Sequence, residues 1–286
     1  MSKVIIVGYG PAGISAAIYL KRAGLDPLVI GKDYGTLSKY PKLLIENYYG
    51  FDKPISGNEL IENGLKQAEY LGVDLVHDAV LSIDEDVAGG FVVVTQENTY
   101  KTEVVLLATG RDRVSVKIKN YQKFLGKGIS LCAKCDGFFY RGKRLAVVGA
   151  GVFMKQELDY LNHLSDDIFV FTNGKPLEVS VPNKVVLDPI VSFNGVNKVE
   201  SISTGENNYN IDGIFIAVGL PSTTNFASKL GIITEKNDVV VDSTYQTNIP
   251  GLFAAGDVIG GPLQIAKAVY DGMQAAAEIH KFLKKK

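Results

Sequence analysis

The chain has 286 residues, is 46% hydrophobic and carries a formal net charge of -1, so it can bury a substantial core and is neither disordered nor globally basic. That balance speaks against a nucleic-acid partner. No apolar run reaches the length of a bilayer span, the longest strand-like runs being VVLLA at 104–108 and LAVVGAG at 145–151.

Met1-Ser2-Lys3 runs directly into the strand VIIVG at 4–8 without an export leader, which predicts a soluble cytoplasmic protein. VIIVG leads into a helix from Pro11 to about Ala23, and PLVIG at 27–31 is the next strand, the opening of a parallel βαβ unit. An amphipathic helix follows from about Gly57 to Leu71. The runs around 73–83 and 91–95 read as a small antiparallel excursion, before VVLLATG at 104–110 returns to the main sheet. The pattern then restarts with RLAVVGAG at 144–151, a helix to about Leu164 and the strand IFVFT at 168–172. GIFIAVG at 213–219 has the shape of VVLLATG, and IPGLFAAGD at 249–257 precedes a helix from about Pro262 to the end. Two copies of one architecture in one chain predict an α/β protein that leaves one nucleotide fold, passes through a second and returns.

The first turn, GYGPAG, keeps Gly8, Gly10 and Gly13 between strand and helix. Gly8 suits the tight turn, Gly10 the approach of backbone amides to a pyrophosphate, and Gly13 the packing of helix on strand. The second turn keeps Gly149 and Gly151 but continues Val152-Phe153-Met154, with bulk where a third small residue belongs. The end of the next strand, FTNGKPLE, offers Thr172, Asn173 and Lys175, neither an acid for ribose hydroxyls nor an arginine for a 2′-phosphate, and no arginine follows Arg144. These residues predict one bound dinucleotide and a second cleft packed by Phe153 and Met154; backbone amides alone leave a variant NADPH site as the alternative.

The two cysteines, Cys132 and Cys135, form one C-x-x-C, and His77, His163 and His280 lie scattered without metal-ligand spacing. Redox chemistry is therefore favoured over zinc. Residues 111–144 hold ten Lys or Arg against Asp112 and Asp136, a net of +8, which leaves -9 on the remainder. Such a field favours thiolate and draws acidic partners, unless the run is only a solvated face. Asp136, beside a cysteine, suits a proton donor to a leaving thiolate.

Taken together, GYGPAG at 8–13, ENYYG at 46–50, LATG at 107–110, CAKCDGFFYRGK at 132–143, FIAVGLPST at 215–223, GLFAAGDV at 251–258 and DGMQAA at 271–276 resemble the low-molecular-weight thioredoxin reductase family over essentially the whole chain. The resemblance implies two Rossmann-like folds: an FAD-binding domain over 1–112 and 246–286, and an inserted dithiol-bearing domain over 113–245 with a degenerate pyridine-nucleotide fold. GAGVFMKQE departs from the family's glycine turn, its arginine motif is absent, and Tyr34-Gly35-Thr36 replaces its Gly-Gly-Gln. With those losses the chain looks like the ferredoxin-dependent flavin thioredoxin reductases, with no NAD(P)H expected.

By the same resemblance FAD would rest its pyrophosphate on Gly8, Gly10, Pro11, Ala12 and Gly13, with Gly31 and Lys32 bordering the adenosine ribose. Gly256 and Asp257 would lie near the ribityl chain, Thr109 and Gly110 would close over the nucleotide, Val80 would join the cofactor shell, and Asn47, Gln264 and Ile265 would approach the isoalloxazine. Cys135 would face the flavin, Cys132 would attack thioredoxin, and Asp136 would serve as acid. A homodimer, and relative rotation of the domains about hinges near 111–116 and 242–248, are implied as well. The rivals are an NADPH-dependent reductase with a variant site, a second flavin in the vacant cleft, and a flavin redox sensor that does not turn over.

Overall fold

The computed structural model describes residues 3–32, 44–110, 116–219, 223–235 and 238–285. Tyr34-Gly35-Thr36, the basic-segment residues Arg111 and Arg113, and most of the first expected hinge lie outside the described residues. Two compact units emerge, one formed by Met1–Asp112 with Leu230–Lys286 and one by Arg113–Lys229.

In the first unit a parallel five-stranded sheet has the spatial order Leu252–Ala254, Val104–Leu107, Val4–Val7, Pro27–Gly31, Asp74–His77. Its inner strands are buried on both faces, as an all-parallel sheet requires, which is why they read as unbroken apolar runs. The helix Pro11–Arg22 packs along the final helix Ile265–Lys284, and the approach is close: a Cβ on Gly272 would collide with the Ala12 carbonyl oxygen. Ser15 Oγ donates to the Val269 carbonyl across the pair at 2.7 Å.

The run over 73–83 is not one excursion. Asp74–His77 extends the main sheet in parallel with Pro27–Gly31, and only Val80–Glu85 enters the antiparallel sheet with Phe91–Thr95 and Thr99–Thr102. Asp78 separates the two, because its carboxylate accepts the Ala79 N–H at 2.7 Å and the Glu97 N–H at 3.2 Å and so competes with strand pairing.

The second unit repeats the plan. Its parallel sheet runs Ile129–Ser130, Gly213–Ile216, Leu145–Val148, Ile168–Phe171, Lys184–Val186, and a second antiparallel trio (Ser192–Asn194, Ser201–Ser203, Asn208–Asn210) stands between the third strand and the returning one. The spatial plan is that of the first unit, with the edge strand supplied first in the chain rather than last, so both are Rossmann-like α/β folds.

The chain returns to the first unit at Leu230, earlier than the expected boundary at 246. The stretch between is tied down locally: Ile233 N–H donates to Asn248 Oδ1 at 2.9 Å and Asn248 Nδ2 to the Gly231 carbonyl at 3.0 Å. The expected second hinge at 242–248 therefore lies inside the first unit, where Asp242 Oδ1 accepts the Thr244 and Gln246 N–H groups.

Candidate active site

The two glycine turns can be compared residue by residue. In the first, Gly8 has φ +123°, its N–H donates to Ile30 O at 2.8 Å, and a Cβ there would overlap the Ala108 carbonyl. A Cβ on Gly13 would overlap the Gly8 carbonyl oxygen, so helix and strand are in backbone contact. Gly10 differs: its φ of -69° and ψ of 173° suit any residue, and the nearest protein atom to a Cβ would be 3.9 Å away. Nothing in the fold requires glycine at position 10, whereas a phosphate brought against the backbone does. The first helical hydrogen bond runs from Ile14 N–H to Gly10 O at 3.0 Å, so the Ala12 and Gly13 N–H groups precede the helical ladder and point past its start. The turn fits a dinucleotide pyrophosphate.

The other expected cofactor residues lie in the same unit. Asn47 Nδ2 donates to Gln264 Oε1 at 3.0 Å, joining two carboxamides 217 residues apart at the start of the final helix, where Ile265 is the first helical residue. Gly110 has φ +72° with open space before it, and Thr109 follows the strand that Gly8 touches. Gly256, at φ +84°, opens the short 3-10 turn that carries Asp257 and faces the Ala12 methyl. Lys32 Nζ donates to Gln96 Oε1 at 2.5 Å, and Gln96 N–H donates to Ala79 O at 3.1 Å, which ties Lys32 to the backbone beside buried Val80. Gly31 has an internal reason to be glycine: the Tyr9 ring would lie 2.7 Å from its Cβ.

Behind this turn is a buried group not anticipated from the sequence. Asp271 accepts from Lys267 Nζ at 2.8 Å, Tyr245 OH at 3.1 Å and Gly256 N–H at 3.2 Å. Burial, then the charge and hydrogen bond of Asp271, push the Tyr245 phenol up to about 12. The i,i+4 spacing of Lys267 and Asp271 was the legible signal.

The second turn reproduces the frame. Gly149 N–H donates to Phe171 O at 2.9 Å, Lys155 N–H to Gly151 O at 3.1 Å, and a Cβ on Gly149 would overlap the Ala217 carbonyl. Yet Phe153 and Met154 do not fill the cleft as expected. They turn under the helix Val152–Leu161 into the core with Val147, Leu158, Val170 and Phe215, Met154 fully buried. What stands before Gly151 is Glu178, whose Oε2 lies 2.7 Å from the place of a Gly151 Cβ. The chain crosses the mouth as a strap: Glu178 N–H donates to Ala150 O at 2.9 Å, while Leu177, Val179 and Val181 pack against that core. Alternate residues inward leave Glu178 outward, over the turn.

The dithiol segment follows the edge strand Ile129–Ser130, whose carboxyl end is where open α/β sheets place their ligands. Cys132 and Cys135 form a disulfide, with Cys132 buried and Cys135 exposed. Cys135 N–H donates to Cys132 Sγ at 3.1 Å, and Cys135 Sγ lies 3.6 Å from Ser228 O. Ser130 Oγ accepts the Cys132 N–H at 3.0 Å and donates to Asp136 Oδ2 at 2.7 Å, so Asp136 is held to the same turn as the cysteines. Burial and then the Asp136 charge push the neighbouring Tyr140 phenol up. Lys117, Lys119, Lys123, Lys127 and Lys134 are exposed, while Arg144 pairs with Asp167 at 2.6 Å. Phe138 and Phe139 are 65% and 71% exposed beside the dithiol, large enough to form an apolar patch. Among the described residues, no group of three or more His, Cys, Asp or Glu side chains could hold a metal ion, and no helix is long and apolar enough to cross a membrane.

A redox disulfide at the edge of one Rossmann-like fold, with a phosphate cradle on another, defines a nucleotide-dependent disulfide oxidoreductase. The family model described as pyridine nucleotide-disulphide oxidoreductase matches residues 2–154 and 183–272, and the strap lies in the interval between. Thioredoxin reductase from Rickettsia prowazekii is 34% identical over 99% of both chains, and that from Listeria innocua 33% identical over 98% of this chain and 93% of its own. Among solved structures, the atypical thioredoxin reductase TRi from Desulfovibrio vulgaris Hildenborough matches with TM-score 0.92 and 37% identity, covering 100% of this chain and 99% of that one. The ferredoxin-flavin thioredoxin reductase from Clostridium acetobutylicum matches with TM-score 0.75 and 29% identity over the same shares. The chain belongs to the low-molecular-weight thioredoxin reductase family, and is a flavin disulfide oxidoreductase of that type.

Proposed function

We propose that this protein reduces thioredoxin through Cys132 and Cys135 with electrons that reach its FAD from reduced ferredoxin, without using NADPH. The observation that carries the reading is the contrast between the turns: the space open before Gly10 is filled before Gly151 by the chain's own Glu178. A dinucleotide there would have to displace a strap anchored by three apolar side chains and bring its phosphates against a carboxylate. The similarity to a ferredoxin-flavin thioredoxin reductase supports the electron source, and the exposed lysines at 117–134 supply charge for an acidic donor.

The residues holding FAD would be Gly8, Gly10, Ala12, Gly13, Thr109, Gly110, Gly256 and Asp257, with Asn47 and Gln264 at the ring end. Bound flavin supplies the conversion of single electrons into the pair that a disulfide needs. Once two electrons have opened the Cys132–Cys135 bond, Cys132 thiolate attacks a sulfur of the thioredoxin disulfide and forms a mixed disulfide. The displaced thioredoxin thiolate takes a proton, with Asp136, whose Oδ2 accepts the Ser130 hydroxyl and is held beside the turn, as the group that would deliver it. Cys135 thiolate then attacks Cys132 Sγ, restoring the internal disulfide and releasing the second thioredoxin sulfur as a thiolate, which takes a proton from solvent. Because Cys132 is the buried sulfur in the oxidised structure, its attack requires the turn to be re-presented, and Phe138 with Phe139 would give thioredoxin an apolar foothold beside it.

Steady-state reduction of thioredoxin with alternative donors tests the reading. Turnover with reduced ferredoxin, slowed by added salt, and none with NADPH or NADH is expected; comparable turnover with NADPH would return the chain to the nicotinamide-dependent enzymes.

A further inference from the structure

The helix Val152–Leu161 begins at the blocked glycine turn and packs on the sheet, and it also touches the dithiol segment. Glu157, half-buried in that helix, accepts the backbone N–H of Ala133 at Oε2, 2.6 Å away. Ala133 is fully buried and directly follows Cys132. Beyond the cysteines the same segment meets this region again, since a Cβ on Gly137 would lie 2.9 Å from Leu164 and 3.1 Å from Leu161.

We propose that Glu157 is a positioning residue of the redox dithiol, fixing the backbone between the cysteines and setting, through its charge, how readily the disulfide is reduced. The proposal rests on the reading of Cys132–Cys135 as the redox pair. Glu157 and Cys132 Sγ accept N–H groups two residues apart in one turn, from Ala133 and Cys135. A carboxylate held there disfavours a thiolate at Cys132 and makes the oxidised form harder to reduce. Burial pushes the Glu157 carboxyl up, while the Ala133 N–H and the charges of Lys229 and Lys134 pull it down. Lys229 faces it from the helix Thr223–Leu230 and Lys134 from the dithiol turn; on its own helix Lys155 and Asp159 pair with each other at 2.5 Å. When the S–S bond is reduced and charge is left on sulfur, proton uptake at Glu157 would offset it. The second nucleotide fold would thus persist as the brace and electrostatic setting of the dithiol.

The test uses the flavin-loaded protein as wild type, Glu157→Gln, Glu157→Ala and Asp159→Asn. Two quantities are read from pH 5 to 9: the Cys132–Cys135 dithiol/disulfide ratio in defined dithiothreitol buffers, and the rate at which iodoacetamide alkylates the reduced cysteines. Glu157→Gln keeps an acceptor for Ala133 and removes the charge. It should favour the dithiol by roughly tenfold, equivalent to about 30 mV, and move the alkylation profile to lower pH without lowering the melting temperature. Glu157→Ala should show the same direction with a lower melting temperature, and Asp159→Asn should match wild type. A Glu157→Gln protein with the wild-type ratio and alkylation profile would reduce Glu157 to a structural contact and overturn the proposal. A wild-type disulfide that passes no electrons to thioredoxin would sink the dithiol reading itself, whatever the variants did.

Discussion

Replacing Gly10 with alanine separates the needs of the fold from those of its cofactor. The backbone at Gly10 is extended, and a Cβ would meet nothing closer than the Ala108 oxygen at 3.9 Å. Alanine at such a position should stabilise the flavin-free protein by about 0.4–1 kcal/mol, through the narrower unfolded ensemble. The same methyl would stand where the pyrophosphate meets the Ala12 and Gly13 amides. If it weakens FAD binding tenfold, then at FAD equal to one hundred times the wild-type Kd, the stabilisation by cofactor falls from about 2.7 to about 1.4 kcal/mol. Thermal melts of Gly10→Ala with and without FAD, together with flavin fluorescence titrations, read both quantities. Gly13→Ala is the contrast, because its Cβ overlaps the Gly8 carbonyl and should damage the fold before any ligand is added. A Gly10→Ala protein that binds FAD as tightly as wild type would refute the placement of the phosphates; one that is destabilised by more than about 1 kcal/mol would refute the claim that the fold leaves this space open.

Two further outcomes follow from buried groups. Met154→Ala removes a fully buried side chain from the second core and should cost about 2–5 kcal/mol in urea denaturation without creating NADPH binding; tight NADPH binding by this variant would mean that Met154 closes the cleft after all. The folded protein holds the Tyr245 proton up to about pH 12, whereas the unfolded chain releases it from about pH 10. The stabilisation from this proton is complete below pH 10 and lost as pH rises toward 12, so Tyr245→Phe should flatten that alkaline decline in urea midpoints, and an unchanged slope would contradict the assignment.

The repeated architecture was legible because parallel strands buried on both faces, such as Val4–Val7 and Leu145–Val148, write themselves as apolar runs, and glycine turns punctuate them. The edge strand Asp74–His77 is not legible as part of the main sheet because its half-exposed residues carry no such run and Asp78, which ends it, acts through side-chain hydrogen bonds. The bulk of Phe153 and Met154 was visible, but not its direction: a helix turns successive side chains by about 100°, and these two face the sheet. Glu178 had no motif to announce it, since its place before Gly151 depends on the strap folding back from 177–181. Glu157 stands within the GAGVFMKQE stretch, but only the fold shows that it reaches the Ala133 amide.

The most direct measurement is the anaerobic absorbance spectrum of the flavin-loaded protein, mixed in turn with excess NADPH, excess NADH and chemically reduced ferredoxin. The account predicts bleaching by ferredoxin alone, with oxidised thioredoxin restoring the spectrum. Rapid bleaching by NADPH would contradict it, and would show that Glu178 and its strap do not bar the second turn to a nicotinamide dinucleotide.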